Sequence, residues 1–229
     1  MTTADRRSLT MCERAARARR SGYRLVIFDF DGTLADSFAW FAGELNDAAA
    51  HWRFKPVARG EQELLRGMSA AEILKHLQVP GWKAPLVAAD LRRRMAADIH
   101  RIRRFDGVDA MLARLHRAGL ALGVATSNSA DNVRRVLGAS NMHLIRHLET
   151  GAAIHGKAAR LRRLLRRAGV RAAQALYIGD EIRDIEAARA AGMAVAAVVW
   201  GYNRPEALRR ARPDLLFEHI DDIAARLAG

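Results

Sequence analysis

Apolar positions along this chain follow two rhythms, and the switch between them divides it. Leu25-Val-Ile-Phe28 is a continuous apolar run, too short for a helix and rich in β-formers, so it predicts a parallel-sheet strand covered on both faces. From Phe38 the spacing becomes helical: Phe38, Phe41, Leu45 and Ala49, then Leu64-Leu65, Ile73-Leu74 with Leu77, and a long run from Leu86 to Ile102. Gly60, Gly67 and Pro80-Gly81 break this block, and nothing between Ser37 and Arg104 reads as a strand. Alternation then resumes. Helices are predicted over 108–118, 130–137, 157–168 and 182–191, strands over 120–125, 175–178, 194–199 and 215–217, and a helix closes the chain. This pattern predicts an α/β fold, a doubly wound, mainly parallel, Rossmann-like sheet interrupted once by a small all-helical insertion. The expected division is a core of 23–36 and 105–229 with an insertion of 37–104.

Composition narrows the class. With 229 residues, half of them hydrophobic, the chain can bury one α/β core and a small second domain. No apolar segment approaches the roughly 20 residues that span a bilayer, so no membrane partner is expected, and the expected location is cytoplasmic. Residues 1–22 carry many arginines and few large apolar residues, which predicts a disordered or loosely helical basic leader; a transit peptide is the alternative, opposed by Asp5 and Glu13. The single cysteine, Cys12, lies in that segment and has no intrachain partner. A formal net charge of +13 raises nucleic acid as a partner. However, the arginines are spread over almost every predicted helix rather than gathered in one stripe, so no specific nucleic acid is expected.

The candidate chemistry sits where predicted strands end. Phe28-Asp29-Phe30-Asp31-Gly32-Thr33-Leu34 delivers two carboxylates two residues apart, on one side of an extended backbone, and Gly32 allows a sharp turn. Such a pair repels itself unless a divalent cation or a shared proton relieves it. The strand ending at Ala125 delivers Thr126, whose hydroxyl, with the Ser127 N–H, can donate to an anion at a helix entrance. Lys157 opens a predicted helix, a poor place for a cation unless something anionic faces it. Gly179-Asp180-Glu181-Ile182-Arg183-Asp184 sets two more carboxylates four apart, over the positive end of a helix.

These four segments, in this order, resemble the motifs of the haloacid dehalogenase-like superfamily in its phosphatase form, in particular the phosphoglycolate phosphatase-like group. The resemblance spans nearly the whole chain outside the leader. It implies a helical cap domain inserted after the first strand, as the pattern of 37–104 suggests. It also implies a Mg2+-dependent phosphate-monoester hydrolase acting through an aspartyl phosphate on a small phosphorylated metabolite, as a monomer or homodimer. In that reading Asp29 is the nucleophile and Asp31 the acid and base, while Gly32, Thr33, Thr126, Ser127 and Lys157 bind phosphate. Mg2+ is held among Asp29, Asp31, Asp180 and Asp184, with Asp31 contributing its backbone carbonyl. Arg66 lies at the break where related caps place a substrate-contacting loop. Glu181 departs from the serine often found at its position and is left without a role.

Other features read as structural. His143 and His147, four apart on a possible helix, lack the Glu of a zinc-protease pattern. Trp40, Phe41 and Trp52 suit the core of the cap, and Trp200-Gly-Tyr-Asn203, after the last main strand, either rims the pocket or packs, with packing the expectation. A phosphomutase of the same fold, resembling β-phosphoglucomutase, is the nearest alternative; a noncatalytic basic nucleic-acid-binding module is the alternative from another class.

Overall fold

The computed structural model describes residues 22–151 and 156–228; the basic leader and Cys12 lie outside the described residues. Strand β1, Leu25–Phe28, is at the centre of a six-stranded parallel sheet with β4 (Ala121–Ala125), β5 (Ile145–Glu149), β6 (Ala175–Gly179), β7 (Ala194–Val198) and β8 (Leu215–Phe217). The order is β5-β4-β1-β6-β7-β8. Leu25 pairs with Ala121 on one side and Ala175 on the other, and Phe28 with Val124 and Ile178. The side-chain period of two sends alternate residues of β1 to opposite faces. Val26 and Phe28 join Leu122, Val124 and Ile178 under helices α5 (Val108–Arg117), α6 (Ala130–Leu144) and α10 (Ile220–Ala228). Leu25 and Ile27 join Tyr177 and Val195 under α7 (Gly156–Ala168) and α8 (Ile182–Ala190). Both faces are therefore dry, and each fully buried Leu, Ile, Val or Phe adds about 1.5–3 kcal/mol relative to exposure. The short helix α9, Pro205–Arg210, precedes β8.

The insertion consists of α1 (Phe38–Trp52), α2 (Gln62–Leu65), α3 (Ala70–His76) and α4 (Ala84–Ala97). Its apolar faces close on a cluster of their own that includes Ala48, Phe54, Leu77 and Val87. Polar ties fix the helix pairing: Trp52 Nε1 donates to the buried Asp90 at 3.1 Å, and Arg94 Nε donates to the same carboxylate at 3.1 Å. The chain enters and leaves this block through an antiparallel ribbon, β2 (Ala35–Asp36) against β3 (Arg103–Arg104). Trp52 packs in the insertion as expected, whereas Trp40 joins the sheet's cluster together with Met95 and Ile99.

Several elements depart from the sequence expectation. Arg103–Arg104 forms a strand although both side chains are exposed, because its pairing is made by backbone groups that carry no side-chain signal. The helical run expected to Ile102 stops at Ala97 and continues as a 3-10 turn over Ile99–Arg101. Ile145–Glu149 is an edge strand, so His143 and His147 do not share the possible helix; His143 lies in the last turn of α6 and His147 in β5. An edge strand is half-exposed, and the polar Arg146 and His147 hid its period. Helix α6 also passes the expected stop at 137, with non-helical angles at Gly138 where φ is 75°. No helix among the described residues is long and apolar enough to cross a membrane.

Candidate active site

Three adjacent strands supply the site. β1, β4 and β6 are parallel neighbours, so the residues that follow them, Asp29, Thr126 and Asp180, emerge side by side at one edge of the sheet. From β1 the chain fills strands β4 and β5 on one side and β6 to β8 on the other. That reversal opens the crevice in which doubly wound folds bind ligands. Asp29 N–H still donates to Ile178 O at 2.8 Å, which pins the first carboxylate to the sheet.

Asp29, Asp180 and Asp184 are buried, and one carboxylate oxygen from each lies within 4.8 Å of the others. Asp180 Oδ1 accepts from Thr33 Oγ1 at 2.7 Å and its Oδ2 from Tyr202 N–H at 2.8 Å. Asp184 Oδ2 accepts from the N–H groups of Asp180 at 3.1 Å and Glu181 at 3.0 Å, at the start of α8. Lys157, from the first turn of α7, sets Nζ 2.7 Å from Asp29 Oδ2 and bonds Asp184 Oδ1 as well. The anionic facing groups that its position demanded are these two aspartates.

The crowding shows in the protonation equilibria. Burial raises the pKa of Asp29 against the pull of Lys157; burial, with Glu181, Asp184 and Asp29 nearby, raises that of Asp180 well above the usual carboxylate range. Burial works against the Lys157 ammonium, but Asp184 and Asp29 outweigh it and keep it charged. Three buried carboxylates against one ammonium make a donor set of hard oxygens, which fits a divalent cation such as Mg2+.

Asp31 stands apart from that group. Asn128 Nδ2 donates to its two oxygens at 3.3 and 3.1 Å, so its side chain is held by an amide, away from the other carboxylates. This leaves its backbone carbonyl as the group it can offer a metal. Burial and the neighbouring Asp29 raise its pKa to about 6, against hydrogen bonds from Asn128 and Ser37. Thr126 Oγ1 accepts from Asn128 N–H at 3.0 Å, so its own proton is left to donate. Ser127 follows at the rim, half-buried.

Gly32 has φ 74° and lies against Asp180, where a Cβ would overlap the carboxylate and the Tyr202 ring. Gly201 meets the same carboxylate from the other side. The segment after β7, read from the sequence as pocket rim or packing with packing preferred, is therefore part of the site. Trp200 Nε1 donates to Thr33 O at 3.2 Å. Asn203 Oδ1 accepts from Ile182 N–H at 2.9 Å, while its Nδ2 donates to Arg66 O at 2.8 Å and Met68 O at 2.9 Å in the insertion. Arg66 answers from the other side, with Nε donating to Tyr202 O at 3.1 Å and Nη2 to Gly201 O at 2.9 Å. Its guanidinium clamps a loop, which differs from the expected substrate contact. Asn128 was not singled out by the sequence; the available signal was its place, three residues beyond a strand end at the ligand edge.

A family model described as haloacid dehalogenase-like hydrolase matches residues 26–198. A phosphoglycolate phosphatase of Synechococcus elongatus is 33% identical over 199 residues, which cover 86% of this chain and 94% of that one. One of Xanthomonas campestris is 34% identical over 194 residues, covering 78% and 84%. A solved structure of a haloacid dehalogenase-like family hydrolase from Streptococcus pneumoniae aligns with a TM-score of 0.74 at 19% identity, over 90% of this chain and 98% of that one; at that identity the likeness is one of fold.

Proposed function

Since the chain belongs to the haloacid dehalogenase-like hydrolases, and within them to the phosphoglycolate phosphatase-like group of phosphatases, we propose that it hydrolyses phosphate monoesters of small metabolites with Mg2+, through an aspartyl phosphate. The observation that carries this reading is the unlike environment of two neighbouring carboxylates. Asp29 is buried beside Lys157 and the other aspartates, while Asp31 is held by Asn128 with its pKa near 6. One carboxylate is positioned as a nucleophile and the other as an acid, a division set by surroundings rather than residue type.

Asp29 attacks phosphorus, and the bond to the leaving oxygen breaks as Asp31 gives that oxygen its proton. Water then attacks the aspartyl phosphate, Asp31 takes the water's proton, and inorganic phosphate leaves with Asp29 restored. Thr126 and Lys157 donate to the equatorial oxygens, where charge is spread in the transition state. Asp29, Asp180 and the Asp31 carbonyl would hold Mg2+, with Asp184 beside them; when bound, the ion neutralises phosphate charge and orients it. Asp184 also holds the ammonium of Lys157 in place. Residues 37–104 act as the cap and 23–36 with 105–229 as the core, the β2–β3 ribbon joining them. The test is a panel of phosphate monoesters with the purified protein, with and without Mg2+. Turnover that depends on Mg2+ is expected, and its absence on every ester sinks the reading.

A further inference from the structure

Every polar group of Asn128 is engaged, and what the engagement fixes is the carboxyl of Asp31. The residue lies between the end of β4 and the start of α6, with 2% of its surface exposed. Its N–H donates to Thr126 Oγ1 at 3.0 Å, and its carbonyl accepts from Gly151 N–H at 2.8 Å. The backbone is held on both sides. The side-chain Oδ1 accepts from Ser129 N–H at 2.8 Å and from Asn132 Nδ2 at 2.7 Å. A backbone N–H can only donate, so the amide has one orientation and Nδ2 faces the other way. There it spans both oxygens of Asp31, at 3.3 and 3.1 Å, and lies 3.1 Å from Met95 Sδ in α4.

A general acid must aim its proton as well as hold it. A carboxyl free to turn about its Cβ–Cγ bond spends much of its time with the proton pointed away from the leaving oxygen, and that time is lost to the reaction. A donor that spans both oxygens removes this freedom: turning the carboxyl breaks the contact, and the acid's proton is kept on the side away from the amide. Resting on the phosphatase reading above, we propose that Asn128 is a positioning residue of the hydrolysis: its locked amide sets the rotation of the Asp31 carboxyl, so that the proton is presented to the leaving oxygen. Asn128 acts through Asp31 alone, and its weight falls on the step that breaks the ester bond.

The test measures that first step by rapid quench, for an alkyl and an aryl phosphate with Mg2+, in the wild type, Asn128→Ala, Asp31→Asn and the double variant. Asn128→Ala keeps the backbone bonds to Thr126 and Gly151 and removes only the amide. The alkyl rate is expected to fall by about 20-fold, part of the roughly 10²-fold or more that a positioned acid supplies, and the aryl rate by no more than about twofold. In the double variant the alkyl rate is expected to equal that of Asp31→Asn alone, since no acid is left to position. Asn128→Leu, which keeps the outline of the side chain, takes the place of alanine should circular dichroism show that variant unfolded. Equal losses for the two esters, or losses that multiply in the double variant, overturn the inference and leave the phosphatase reading standing. Absence of wild-type turnover on every ester defeats both.

Discussion

The carboxylate edge of the core and the apolar cavity wall of the cap obey opposite rules. At the core edge, polar groups are buried and tied: Asp180 accepts from Thr33 and Tyr202, Asp184 from two N–H groups and Lys157, and Asp31 from Asn128. Burying charge is costly, so each group persists only because several partners determine its position. In its cavity wall the cap presents Phe41, Leu45 and Ile73, which any similar apolar set could replace at modest cost. Geometry is therefore over-determined at the core edge and permissive at the cap wall. The loop after β7 is stitched to the insertion by the Arg66–Asn203 clamp, by Arg204 N–H donating to Arg66 O at 2.9 Å and by the Ser37 and Tyr202 hydroxyls 3.1 Å apart. That loop also donates to Asp180, so cap position and the carboxylate cluster share one strut.

The strongest break of this comparison is Asp29→Asn. An amide keeps the shape but cannot act as the nucleophile, so turnover is expected to fall by about 10³-fold or more with unchanged circular dichroism. Substantial Mg2+-dependent turnover by a homogeneous variant would remove Asp29 from that role. Next comes Lys157→Arg. Its ammonium sits between Asp29 and Asp184, a space for a point charge rather than a planar fork, and kcat/KM is expected to drop by about 10²-fold although charge is conserved. A loss of only a few fold on the preferred substrate would mean that charge alone matters there.

Asp31→Asn separates acid chemistry from binding. The first step should slow by about 10²-fold for alkyl phosphates and much less for an aryl phosphate, whose leaving oxygen needs no proton. In the wild type, Asp31 must be protonated to serve that step. Its pKa is raised to about 6, so the alkyl rate of the first step should decline as pH rises through that value, while the aryl rate holds. Rapid-quench measurements decide it, and equal losses for the two ester types would dismiss Asp31 as the acid.

Asn203→Ala cuts the strut rather than either wall. The Met68 carbonyl and the Ile182 N–H lose their partner while Arg66 O keeps the Arg204 N–H, so stability should fall by about 2 kcal/mol and KM should rise several fold with little change in kcat. Thermal unfolding and steady-state kinetics together test this; a lowered kcat at unchanged KM would place the strut's effect on the chemistry instead. The smallest effect belongs to the cap alone. The Ala58 N–H, Lys55 and His76 hold the Glu61 pKa near 2, below its usual 4.5. Its stabilising contribution is therefore full above 4.5 and fades as pH falls toward 2. The Tm difference between wild type and Glu61→Gln, present at neutral pH, should shrink across that window, and a constant difference would contradict the assignment.

Much of this molecule was legible from its residues, and the misses share a cause. β1, β4, β6 and β7 are buried on both faces, and such strands announce themselves as apolar runs. β5 is an edge strand and β2–β3 a pairing of two residues each, so neither needs an apolar signature. The positions of Asp29, Asp180, Thr126 and Lys157 follow from strand ends and a helix start, which local pattern marks. The separation of Asp31 from the other carboxylates does not, because it depends on Asn128, 97 residues away.

The sequence by itself determined the doubly wound sheet, the helical insertion and the line of carboxylates along one edge, since each follows from hydrophobic period or from a residue's place beside a strand. Only the tertiary structure decided that Asp180 is shaped by Thr33 and Tyr202, that Arg66 spends its charge on a loop, and that Glu181 faces an apolar wall. Periodicity reports which face of an element is buried. The partner that a buried polar group finds depends on which distant elements the packed core brings within about 3 Å, and no local pattern encodes that distance.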